Sequence, residues 1–230
     1  MQIDELNERL SRERKCGPPF GEGITCPMKG KTFVGADSRT GEVGHVSVLF
    51  MGLNPGMEEA KRGLPFVGPS GRLLRHAIEN APVDWAIVNS ILCSSPNQTG
   101  IVNPQLSASC CRRNVAYLWS LFTPDIIVPC GNGAAAVFEI PEGITRAETM
   151  YYVSRGRNGN GRPTIIAPIQ HPSAIIRTGG VNSSKYPGWI QRLSCIFSVA
   201  LAFPHYDSPE KTLNGLNTPW KGLFGLTTNA

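Results

Sequence analysis

No apolar run in this chain of 230 residues approaches the length of a membrane span, so a helical membrane protein is not expected. The opening residues Met1-Gln2-Ile3-Asp4-Glu5-Leu6 carry charge where a secretion signal needs an apolar stretch, and a cytoplasmic address is the expectation. Nor is there an even set of cysteines. The seven present, in a chain without a secretion signal, make disulfides unexpected and leave the thiols to packing, catalysis or metal ligation. Internal repeats and low-complexity tracts are lacking too, which sets repeat architectures aside. A strong charge imbalance is also missing: the net charge of +5 leans only weakly toward a polyanionic partner.

What is present reads as one large core with a short tail. The hydrophobic share of 41% suits a globular protein. Apolar runs at 46–51, 85–91, 125–130 and 164–169 predict strands, with a further one at 149–154. Helical patterns fall between them at 70–80, 108–121 and 133–139, and a last one covers 186–201. Strands separated by helices imply βαβ units, hence a largely parallel α/β sheet covered on both faces. Asp4–Lys15 predicts a short amphipathic helix, and 16–45 reads as irregular with a short strand near Thr32-Phe33-Val34. A globular unit is expected over 1–203, and a tail over 204–230 that either wraps the surface or is partly mobile.

The most informative stretch is the glycine- and proline-rich segment 52–74, which links the first strand of the alternation to the following helix. Glycine lets backbone approach a ligand closely, and proline fixes the path of the chain. The segment also carries Asn54, Glu58, Glu59 and Phe66. A second loop, Gln170-His171-Pro172-Ser173, follows the 164–169 strand, and Asn89 lies near the end of the 85–91 strand. A parallel sheet brings these strand ends to one edge, where open α/β sheets bind ligands. A carboxamide inside an apolar strand must find partners, either in a turn or on a ligand that needs both a donor and an acceptor.

These motifs resemble the uracil-DNA glycosylase superfamily, most closely its iron–sulfur branch, family 4. They are Gly52-Leu53-Asn54-Pro55-Gly56, Gly63-Leu64-Pro65-Phe66-Val67-Gly68-Pro69-Ser70-Gly71-Arg72-Leu73-Leu74, Asn89 and His171-Pro172-Ser173. The resemblance implies a three-layer αβα sandwich around a central four-stranded, mainly parallel sheet, with DNA crossing the strand ends. It implies that Phe66 stacks on a flipped base and Asn89 reads its edge, with Gly52 and Leu53 also in the substrate site. His171 would stabilise charge on the leaving base, and Glu59 would exclude thymine's methyl group. The iron–sulfur branch has Gly-Glu-Ala-Pro-Gly, whereas here Leu53 replaces the Glu. Gly-x-Asn-Pro-Gly resembles the mismatch-specific and single-strand-selective branches instead, which moves the water-positioning role to Asn54.

The resemblance also implies a 4Fe-4S cluster on Cys16, Cys26, Cys93 and Cys111, binding through segments 16–45 and 93–111, with zinc as the competing metal. The resemblance implies Cys111 over Cys110, because its distance to Pro124 matches the family's spacing, while Cys130 and Cys195 read as packing residues. Ser70, Ser173 and Arg177 are the candidate DNA contacts, with Lys61, Arg62, Arg72, Arg75, Arg155, Arg157 and Arg162 as further cations. The expected partner is uracil-containing DNA, the expected state a monomer, and the expected activity monofunctional hydrolysis of the N-glycosidic bond. Two alternatives stay open: a glycosylase for other deaminated or mismatched bases, and a non-catalytic DNA-binding relative.

Overall fold

A computed structural model describes residues 1–13, 26, 28, 31–94, 104–140, 151–154, 163–205, 208–217 and 220–223. Cys16, Arg155, Arg157 and Arg162 lie outside the described residues. The central strands are β3 (Val48–Gly52), β4 (Trp85–Asn89), β6 (Ile126–Pro129) and β8 (Thr164–Ile166). Every residue in these four is buried, as expected of parallel strands covered on both faces. They run parallel in the order β4-β3-β6-β8.

The sheet is wider than the four strands expected. Among the described residues seven strands pair in this sheet. The parallel four are the centre, flanked by β2 (Asp37–Ser38) on one side and β7 (Tyr151–Ser154) and β9 (Trp220–Leu223) on the other. β2 and β7 are antiparallel to their inner neighbours. A strand of two polar residues has no alternation to read, which is why β2 escapes the sequence pattern. The tail contributes β9, and Leu213 in the helix Pro209–Gly215 is fully buried, so these described parts of the tail pack onto the fold.

Alternation along the strands divides the interior into two cores. Val48, Phe50, Ile87, Ile126, Val128 and Ile165 face one layer, where they meet Leu73 and Leu74 of α3 (Pro69–Ile78) and Leu193 and Ile196 of the long helix Tyr186–Ala202. Leu49, Met51, Ala86, Val88, Ile127 and Ile166 face the other, against α1 (Ile3–Glu13) and α4 (Pro104–Phe122). Successive side chains on a strand point to opposite faces, so a buried strand feeds both cores. Each fully buried aliphatic or Phe side chain contributes about 1.5–3 kcal/mol. The result is the expected three-layer αβα sandwich. Among the described residues no helix is long and apolar enough to cross a membrane.

Cys130 packs as expected: it is buried at the end of β6, its Sγ donates to Val128 O, and burial pushes its thiol pKa up. Cys195 does not. It is exposed, because the Tyr186–Ala202 helix turns Leu193 and Ile196 inward and carries position 195 to the solvent side.

Candidate functional site

The carboxyl ends of β3, β4 and β8 open onto a cleft of about 490 Å³ that has Asn54, Glu59, Phe66, Ser70, Asn89 and His171 in its wall. Backbone pairing places these residues. Gly52 is in register with Asn89, and Ser90 N and Ile91 N donate to Gly52 O and Leu53 O. On the far side Gly131 N donates to Ile169 O, and Trp189 Nε1 donates to Gln170 O at 3.0 Å, fixing the chain just before His171. Gly131 has φ of 94°, and a Cβ there would stand 2.9 Å from the His171 Cβ. Only glycine allows that approach.

The loop 52–68 is more ordered than its composition suggests. It contains a short helix, α2 (Met57–Arg62), ended by Gly63 in the left-handed conformation. Glu59 organises what surrounds it. Its Oε2 accepts from Gly56 N at 3.0 Å, and its Oε1 accepts from Val67 N at 2.8 Å and Gly68 N at 2.6 Å. Phe66 sits between these supports with φ of 54°, a conformation that costs a non-glycine residue about 1–3 kcal/mol unless its surroundings impose it. Its ring is 6% exposed and lies over Gly52, where an added Cβ would come within 2.7 Å of the ring's Cε2. Gly71 is needed for a related reason: a Cβ there would overlap the Phe66 carbonyl carbon.

Asn89 is 1% exposed, and its Nδ2 has no hydrogen-bond partner among the described residues. Leaving a buried donor unsatisfied costs about 1–3 kcal/mol. In the wall of a cleft, such a donor is a group waiting for an acceptor. Asn54 donates from Nδ2 to Pro55 O at 3.0 Å, which fixes the carboxamide and leaves its oxygen as the acceptor.

His171 caps the N-terminus of the helix Pro172–Ile176. Its Nδ1 accepts from Ser173 N at 3.1 Å and lies 2.8 Å from Ser173 Oγ, which in turn accepts from Arg177 Nη1 at 3.2 Å. A ring nitrogen that accepts a backbone N–H carries no proton, so the proton of the neutral ring is on Nε2. Burial, and then the nearby Arg177 charge, lower the His171 pKa from its ordinary value, while Glu59 opposes them. The imidazole is therefore held neutral as an Nε2–H donor.

Other expected residues fall elsewhere. The Leu53 side chain points away from the cleft wall into the α4-side core, where a Cβ on Gly133 would stand 2.6 Å from its Cδ2. Arg75 is not a free surface cation: it is paired with Asp37 at 2.6 Å and bonded to two loop carbonyls. Nothing in the sequence pattern marks Asp37 as part of the site. Cys26, Cys93, Cys110 and Cys111 are all buried within one apolar cluster on the α1/α4 side. Among the described residues no group of three or more metal-ligating side chains is assembled. Cys93 sits on β5 (Cys93–Ser94), paired with Phe33 of β1 (Thr32–Phe33).

Fold and site together define an α/β protein with a ligand cleft at the carboxyl ends of its parallel strands. The sequence model of the Uracil DNA glycosylase superfamily matches residues 39–189, and the chain belongs to that superfamily. The Type-4 uracil-DNA glycosylase of Thermotoga maritima is 34% identical over 94 residues, 40% of this chain and 48% of that protein. The Type-4 uracil-DNA glycosylase of Sulfurisphaera tokodaii is 27% identical over 138 residues, 56% of this chain and 60% of that protein. The matches thus span about half to three-fifths of the length of these curated relatives.

Proposed function

We propose that this chain is a monofunctional DNA glycosylase that hydrolyses the N-glycosidic bond of uracil in DNA. The observation that carries the proposal is the buried, unpartnered Nδ2 of Asn89 in a cleft that also holds the Phe66 ring and a neutral His171. A flipped pyrimidine would replace its lost stacking on Phe66 and offer a carbonyl to Asn89 Nδ2. As the bond to the sugar lengthens, negative charge moves onto the base, and His171 Nε2–H donates to the carbonyl that receives it. Asn54 would accept a hydrogen from water with its free oxygen and turn a lone pair toward the sugar carbon. It cannot take the proton as a carboxylate would, so bond dissociation carries the barrier; the base leaves as an anion with the bonding electron pair, and the proton that water loses on bonding to the sugar carbon passes to solvent.

Glu59, pinned by three backbone N–H groups, would act as a rigid wall at the C5 edge, where thymine carries its methyl. Ser70 in the cleft wall and Ser173 and Arg177 beside His171 are the proposed phosphate contacts. Cys26, Cys93 and Cys111, with Cys16, would hold a 4Fe-4S cluster, zinc being the alternative. Bound there, the metal centre would staple the N-terminal segment to β5 and α4 and supply no step of hydrolysis.

An oligonucleotide with one uracil, treated with the purified protein and then alkali, tests the activity. Strand scission at the uracil that is lost in Asn54→Ala and His171→Ala is the expected result. Uracil-dependent retention of the oligonucleotide without scission overturns it in favour of a binding protein.

A further inference from the structure

We propose that Arg75, held by Asp37, is the positioning residue that sets the Phe66 ring at its working angle. Its use in stacking a base rests on the function proposed above, whereas the clamp rests on geometry alone. Arg75 Nε donates to Phe66 O at 2.9 Å and Arg75 Nη2 donates to Pro65 O at 2.7 Å. Nη2 also meets Asp37 Oδ2 at 2.6 Å. One planar guanidinium thus takes up two consecutive carbonyls on one side and a carboxylate on the other.

The loop needs such a clamp. Phe66 is in the left-handed region, which no side chain of its own kind favours. Arg75 holds the carbonyls of the two peptide units that flank the Phe66 Cα, while Glu59 holds the next two N–H groups, of Val67 and Gly68. The backbone torsions of Phe66 are therefore restrained from both ends, and through them the direction of its Cβ. An ammonium cannot substitute, because Lys presents a point charge and not a fixed fork of donors.

Asp37 gives the clamp its reference. It sits on β2 in register with Ile87 of β4, the strand that ends in Asn89. The ring that stacks on the base and the carboxamide that reads its edge are thereby both located from β4. Arg75 is 26% and Asp37 17% exposed in their side chains, so the pair is largely shielded from solvent.

Arg75→Lys and Asp37→Asn, alone and combined with Phe66→Leu, test the assignment. Arg75→Lys is expected to lower kcat/KM on the uracil oligonucleotide on the order of ten- to a hundred-fold, the scale of a misplaced contact. In the Phe66→Leu background the same change should cost no more than Phe66→Leu alone, because the ring that Arg75 positions is already gone. Independently of activity, nuclear Overhauser contacts between labelled Phe66 and His171 rings should be present in the wild type and lost in Arg75→Lys, with the fold retained by circular dichroism. Full activity and intact ring contacts in Arg75→Lys would mean that any cation suffices, and would overturn the proposal. So would losses that simply add in the double variant. A wild type that excises nothing refutes the proposed activity, while the ring contacts still decide the clamp.

Discussion

The rings of Phe66 and His171 stand with centroids 6.2 Å apart and planes tilted by 33°. A base sandwiched between two ring faces needs roughly 7 Å, twice the optimal contact distance. The gap is too narrow and too tilted for that. On the function proposed above, a heterocycle in this cleft would stack on Phe66 alone and meet His171 at its edge, where an Nε2–H could donate in the plane of a carbonyl.

Removing the stacking face tests that division of labour. Phe66→Ala is expected to reduce single-turnover excision by the equivalent of about 1–3 kcal/mol, the usual worth of one base–aromatic stack. Urea denaturation should be followed in parallel, since the ring is also part of a core. Asn89→Asp should be more severe, because it replaces the donor with a charge facing the base carbonyl; loss of about 10²-fold or more in kcat/KM is expected.

The pH profile reports on His171. Its folded pKa is lowered, so the neutral donor persists to acid pH and activity falls only when pH drops through that lowered value. Arg177→Gln removes the charge that helps lower it, and the acid limb of kcat/KM is expected to move to higher pH. Glu59 acts in the opposite sense on His171, so Glu59→Gln should move the limb to lower pH. A limb that stays in place in both variants would show that His171 is not the group titrating.

Two glycines make a controlled pair. Gly71→Ala puts a methyl into the Phe66 carbonyl and should destabilise the protein by about 1–3 kcal/mol while impairing excision. Gly188→Ala, in the Tyr186–Ala202 helix with open space around it, should be stabilising by about 0.5–1 kcal/mol and leave excision unchanged. Chemical denaturation measures both.

The cysteine assignment predicts a metal content. Protein prepared without oxygen should be brown, with iron and acid-labile sulfide, and Cys93→Ser or Cys111→Ser should lose both together with thermal stability. Colourless protein with about one zinc per chain would establish the competing metal.

The order of strands and helices was legible in the chain, because full burial of the inner strands leaves unbroken apolar runs and the helices between them keep a helical period. Asn54, Phe66, Asn89 and His171 could be placed at one edge for the same reason: parallel strands share an edge whatever their exact register. Less could be read inside the loops. The helix Met57–Arg62 is too short and too charged to show a periodic face, and the helix Pro172–Ile176 is hidden behind a proline. Cys195 was misplaced because a helix apolar on most sides does not say which residue faces water.

Sequence alone therefore brought Asn54, Asn89 and His171 to one edge of the sheet, since that follows from local pattern and the topology of βαβ units. Tertiary structure decided what each residue is free to do there. Glu59 is committed to three backbone N–H groups, Arg75 to two carbonyls and Asp37, Leu53 to a core, and His171 to the tautomer that donates from Nε2. Those commitments depend on distances of about 3 Å between residues far apart in the chain, and no local pattern of residue types encodes them.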